Sequence, residues 1–94
     1  MALEFEWDGS KDNRNARKHG VTFAEGLTVF RDPLARIFDD PEHSGIKRRE
    51  LIIGHSVRQR LLVVAFTERD GRVRLISARS TTTREREDYE QSTK

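Results

Sequence analysis

Leu61-Leu62-Val63-Val64-Ala65-Phe66-Thr67-Glu68-Arg69-Asp70-Gly71-Arg72-Val73-Arg74-Leu75-Ile76-Ser77-Ala78-Arg79 sets the architecture of this chain. Six apolar residues, three of them branched at Cβ or aromatic, read as a strand buried on both faces and therefore central in a sheet. Asp70-Gly71 is a two-residue hairpin signal, because the turn that suits the strand twist needs two residues at positive φ. The residues after it, 72–79, then form a second strand antiparallel to the first. Upstream, residues 49–55 are also strand-like, and residues 57–60 suit a looser turn, so three strands join into an antiparallel meander.

Toward the N-terminus, Asp32-Pro33 ends whatever precedes it, since proline cannot continue a helix and biases the residue before it to an extended backbone. Residues 34–38 read as a short strand. Residues 39–45, Asp39-Asp40-Pro41-Glu42-His43-Ser44-Gly45, read as a loop. Before Asp32, Thr22-Phe23-Ala24-Glu25 matches a capping box, and Phe23, Leu27 and Phe30 share one helical face. Residues 11–19 form an earlier helix, with Asp8 or Ser10 as N-cap and Gly20 as a left-handed C-cap. Leu3-Glu4-Phe5-Glu6-Trp7 alternates with period two, the mark of a strand whose Leu3, Phe5 and Trp7 point inward. Residues 81–90 make a last helix almost without an apolar stripe, expected to dock weakly. The order is β-α-α-β-β-β-β-α. It predicts an α+β domain over residues 1–94, with two N-terminal helices packed on an antiparallel sheet.

Ninety-four residues suffice for one core and no second domain. The net charge of +2 hides an asymmetry: residues 1–46 carry 6 basic and 9 acidic side chains, residues 47–94 carry 12 and 7. Fourteen of the 18 cations are arginines, whose planar fork suits two-toothed phosphate contacts. These features favour a polyanionic partner over a membrane. Without cysteine there is neither a disulfide framework nor a thiolate metal site. No metal or cofactor is expected, and the cytosol is the expected compartment.

Phe5-Glu6-Trp7-Asp8, residues 18–23 (Lys18-His19-Gly20-Val21-Thr22-Phe23), Asp32-Pro33, His43-Ser44, Arg49, Ile53-Gly54-His55-Ser56, Thr67-Glu68-Arg69, residues 74–79 (Arg74-Leu75-Ile76-Ser77-Ala78-Arg79), Arg84-Glu85 and Tyr89 stand in the order found in the BrnT family of bacterial toxins. The chain resembles that family over nearly its whole length. The resemblance implies a RelE-like fold, ribonuclease activity, and pairing with a BrnA-like ribbon-helix-helix antitoxin through which the pair reaches promoter DNA. Lys47-Arg48 and Ser80-Thr81 depart from the pattern, which usually has acidic residues at the first place and a basic residue with alanine at the second.

Metal-free RNA cleavage needs a base for the 2′-hydroxyl, cations for the phosphorane and an acid for the 5′-oxygen. The candidate catalytic residues are His43, Arg49, Arg79, Glu85 and Tyr89, and the candidate RNA contacts are Lys18, His19, Arg74 and Arg84. Arg74 and Arg79, five apart on one regular strand, would point to opposite faces. Arg79 is the expected phosphate ligand, with Arg49 as a second cation. Glu85 and Tyr89, at i and i+4, share a helix side; Glu85 would act as base or orient Arg79, and Tyr89 would stack on a base. His43 would move a proton. Each has a plainer reading: Lys18 and His19 complement a helix dipole, Trp7 and Phe5 are core, and His55 is structural. The competing functions are a non-catalytic RNA- or protein-binding module and a degenerate toxin that only pairs with its antitoxin.

Overall fold

The computed structural model describes residues 4–40 and 48–92; Leu3, His43, Ser44 and Lys47 lie outside them. The elements are β1 (Glu4–Glu6), α1 (Gly9–His19), α2 (Phe23–Leu27) continued by a 3-10 turn (Thr28–Arg31), β2 (Arg36–Asp39), β3 (Glu50–His55), β4 (Leu61–Arg69), β5 (Arg72–Ser80) and α3 (Thr83–Ser92). The five strands form one sheet in the order β1-β5-β4-β3-β2. This is an α+β layout, but the sheet is mixed: β2 to β5 are antiparallel, whereas β1 runs parallel to β5 with Phe5 opposite Val73. The expectation of a wholly antiparallel sheet rested on short connections. Those exist only from β3 onward, and β1 is joined to the far edge by α1 and α2, so nothing local sets its direction.

Helix α1 starts at Asp8, whose carboxylate accepts from the Ser10 amide at 2.8 Å, and ends at Gly20, at φ 69°, whose amide donates to the Ala16 carbonyl. Thr22 caps α2 by accepting from the Glu25 amide at 3.1 Å. Only half of the expected capping box forms. The Glu25 side chain turns instead to Arg60 and Ser56, with Arg60 Nε at 2.8 Å and Ser56 Oγ at 2.7 Å from Oε2. This network holds the Glu25 carboxyl below its usual range, the Arg60 contact contributing most.

The sheet carries apolar packing on both faces. On one, Val21, Phe23 and Val29 meet Ile52, Val64, Phe66, Val73, Leu75 and Ala78, and Phe5 and Trp7 pack edge-on to Phe30 and Phe23. On the other, Tyr89 of α3 packs with Ile53, Leu61 and Val63. Helix α3 is docked through this one large ring, 4% exposed, and the rest of the helix is exposed apart from half-buried Glu85, as its poor apolar stripe predicts. Asp70 and Gly71 take φ 53° and φ 78°. These are the positive pair that a two-residue hairpin requires.

A bulge in β5 has consequences for the site. Ala65 is paired with Ser77 and Phe66 with Leu75, leaving Ile76 as an extra residue. The alternation of β5 is reset there, so Val73, Leu75 and Ala78 all enter the same core. By the same shift Arg74 and Arg79 stand opposite Thr67 and Val63, two β4 residues of one face. The expectation that they point to opposite faces is overturned, because it assumed a regular strand.

Candidate functional site

Arg79 is the penultimate residue of β5, and its phase is held from beneath by Asn15. That buried amide donates to the Ala78 carbonyl at 2.7 Å and the Val21 carbonyl at 2.8 Å and accepts from the Ala78 amide at 3.1 Å. Asn15 on α1 thus pairs with the β5 edge that β1 leaves uncovered and locks the backbone next to Arg79.

Arg79 grips Glu85 with two parallel hydrogen bonds, Nη1 to Oε1 at 2.7 Å and Nη2 to Oε2 at 2.8 Å, and Nη1 also donates to the Ser80 carbonyl. Glu85 is placed by a capping box at the start of α3: its Oε1 accepts from the Thr82 amide at 2.8 Å and its own amide donates to Thr82 Oγ1 at 3.2 Å. The Arg79 guanidinium, aided by Thr82 and opposed by burial, pulls the Glu85 carboxyl down to about 2. A carboxylate held so far down is a weak base near neutrality and a strong clamp. The geometry therefore favours orientation of Arg79 over proton abstraction. Three of the five guanidinium N–H groups are engaged; the side edge, Nε–H with the second Nη2 hydrogen, has no hydrogen-bond partner among the described residues.

Tyr89, one turn on, shares the side of Glu85 as its i+4 spacing requires, but that side faces the sheet and the ring is consumed by packing on Ile53, Leu61 and Val63. The expected stacking on a nucleobase does not fit a ring so deeply covered. Its hydroxyl instead meets a cluster that the sequence did not reveal: Asp32 Oδ2 at 3.5 Å and His55 Nδ1 at 3.4 Å. Asp32 accepts from the His55 amide at 2.7 Å and from the Leu34 amide at 2.9 Å. Burial works against the Asp32 charge, but those amides and His55 outweigh it and lower the pKa; burial and the Asp32 charge raise that of Tyr89. The imidazole, its side chain 43% exposed, lines an open pocket with Thr28, Arg31 and Gln59. Only the Asp32-Pro33 break and the His55 strand end marked these positions, and nothing local joins residues so far apart in sequence.

Arg49 and Arg74 are together, but not beside Arg79. Both line a groove across the other end of the sheet. Arg74 stands opposite Thr67, four residues along β4 from Val63, the partner of Arg79. At the rise of an extended strand the backbone positions of the two arginines are about 13 Å apart. The remaining expected RNA contacts are dispersed. Lys18 and His19 sit in the last turn of α1, which packs on the face away from Arg79, where they complement the helix dipole. Arg84 is exposed at the start of α3. His43 falls outside the described residues. Among the described residues no helix is long and apolar enough to cross a membrane.

The family described as "Ribonuclease toxin, BrnT, of type II toxin-antitoxin system" has a model that matches residues 7–85. Among solved structures, the 1.1 Å crystal structure of the Brucella abortus ribonuclease toxin BrnT is similar, with a TM-score of 0.66 at 24% identity over 87% of this chain and 100% of that one. At that identity the likeness is one of fold. No curated protein matches the chain.

Proposed function

The chain belongs to the BrnT family of ribonuclease toxins of type II toxin-antitoxin systems, and from that membership we propose that it is itself an endoribonuclease, acting without a metal and inhibiting translation and growth. The 2′-hydroxyl loses its proton to a base and attacks the adjacent phosphorus. The bond from phosphorus to the 5′-oxygen then breaks as an acid protonates the leaving oxygen. Arg79 binds the phosphate through its open side edge and stabilises the dianionic phosphorane, Glu85 orients Arg79, and His43 exchanges protons with the reacting oxygens. Tyr89 contributes by fixing α3, and so Glu85, on the sheet. Arg49 belongs with RNA binding at a distance from the reacting phosphate, together with Arg74; Lys18, His19 and Arg84 are peripheral contacts.

The observation that supports this reading best is the Arg79 fork: a guanidinium fixed by Glu85 on one edge and open on the other is a preorganised phosphate ligand. On this reading the fold is of RelE type, the protein works in the cytoplasm, and a BrnA-like ribbon-helix-helix antitoxin blocks the site and carries the pair to promoter DNA. Incubating purified protein with RNA in EDTA tests the activity. Fragments ending in 2′,3′-cyclic phosphate are expected, and RNA left intact across varied sequences would refute it.

A further inference from the structure

The groove across the β1–β3 end of the sheet gathers Lys11, Arg48, Arg49, Arg69 and Arg74, against which it sets only Glu6 and Glu68. Arg74 lies 4.0 Å from Glu6, a loose pairing between exposed groups. Among the described residues, no ion pair engages the side chains of Lys11, Arg48, Arg49 or Arg69. The closely paired arginines lie elsewhere, Arg60 on Glu25 and Arg79 on Glu85. The groove thus brings five cations together against two carboxylates and carries a local excess of positive charge. Its backbone is ordered around that purpose: Thr67 Oγ1 donates to the Arg48 carbonyl at 2.9 Å, tying the segment before β3 to β4.

The bulge adds a direction. Ile76, the extra residue, lines this groove, and the phase change it causes puts Arg74 on the same sheet face as Arg79. Without the bulge Arg74 and the Arg79 fork would lie on opposite sides of the sheet. With it, they mark two points on one face about 13 Å apart along β4. That span corresponds to about two nucleotides of an extended strand.

We propose that this groove is a second phosphate-binding subsite, which holds the backbone of a single-stranded RNA about two nucleotides from the phosphate gripped by Arg79. The inference rests on the ribonuclease reading for the identity of the polyanion. The groove supplies affinity without chemistry: open arginines release counterions from the RNA and set its register over Arg79, and no groove residue touches the reacting phosphate.

The test uses the double variant Arg48→Ser/Arg69→Ser, two surface residues, checked for folding by its urea transition. Binding of a fluorescent oligoribonucleotide of about eight nucleotides, of its all-deoxy counterpart, and of a dinucleotide is measured by anisotropy over a salt series; cleavage of the same RNAs is measured in parallel. The variant should bind both longer strands about tenfold more weakly, with a salt slope lower by about 1.4, as expected for two lost phosphate contacts. The dinucleotide, too short to span both points, should be unaffected, and KM for the longer RNA should rise with kcat unchanged. Equal affinity and slope in variant and parent would overturn the proposal. So would weakened capture of the purified antitoxin with RNA binding intact, which would make the groove a protein interface. If the parent binds RNA but cleaves none, the ribonuclease reading fails while the binding arms still decide the groove.

Discussion

Replacing Glu85 by glutamine separates clamp from charge. Glutamine keeps the shape, can still accept from the Thr82 amide, and offers Arg79 one oxygen in place of two charged ones. The Glu85 carboxyl falls from 4.5 to about 2 on folding. Taken in full, that shift is worth about 3.4 kcal/mol. The Arg79 and Glu85 side chains are partly exposed, 36%/23% accessible. Solvent screening therefore reduces the expected loss at pH 7 to about 1.5 kcal/mol. The sign follows from a depressed carboxyl: the stabilisation is complete above about pH 4.5 and fades as the pH falls toward 2. At pH 3 less than half of it should remain. Urea unfolding of parent and variant at pH 7 and pH 3 reads both quantities. Cleavage by the variant should fall by about tenfold to a hundredfold, because Arg79 loses its orientation while keeping its charge. A stability difference that is absent at pH 7, or as large at pH 3 as at pH 7, would refute the clamp; unchanged stability with activity abolished would instead make Glu85 the base.

Asn15→Ala strands the Ala78 amide and carbonyl and the Val21 carbonyl in the core. A loss of about 3 kcal/mol in urea unfolding is expected, against nearly none if water replaces the amide. In Gly54→Ala a Cβ would stand 2.9 Å from that of Ala35 and 3.0 Å from Asp32 Oδ2. Thermal unfolding should register a cost of about 2 kcal/mol, and an unperturbed midpoint would contradict the close approach. Tyr89→Phe loses only hydroxyl contacts of 3.4 Å and 3.5 Å. It should stay within about 1 kcal/mol of the parent, while Tyr89→Ala should cost about 3 kcal/mol and expose the α3 amides to rapid hydrogen exchange. Equal exchange rates in all three proteins would show that α3 is not held by this ring.

The parts of the fold legible in the sequence are those whose causes are local. Asp70-Gly71 announced its hairpin, Gly20 its left-handed cap, Asp32-Pro33 its helix stop, and the doubly apolar run of β4 its central place. The parallel pairing of β1 was hidden because β5, its partner, lies at the far end of the chain. Glu25 read as a capping-box acid, yet Arg60, 35 residues on, competes for its carboxylate and wins by charge. The bulge at Ile76 has no glycine to betray it. Only the shared core of Val73, Leu75 and Ala78 shows the alternation slipping, and that could have been suspected from the apolar pattern of β5 itself. At the site, the i+4 spacing of Glu85 and Tyr89 put both on one side of α3, and that side turns out to face the sheet. Spacing could not tell a ring that binds a base from one that anchors a helix, which depends on the apolar floor of Ile53, Leu61 and Val63 beneath it. Asp32 and His55 came together only through the backbone approach that Gly54 permits.

If Arg79 stabilises charge on a phosphate during RNA cleavage, its loss must slow the chemical step itself. Single-turnover cleavage of one defined oligoribonucleotide in EDTA, with Arg79→Ala compared with the parent, isolates that step. A fall in rate at saturating enzyme of about a hundredfold or more is predicted, with a folded variant that still binds the RNA. A variant that cleaves at the parent's rate once bound would contradict the role given to this guanidinium.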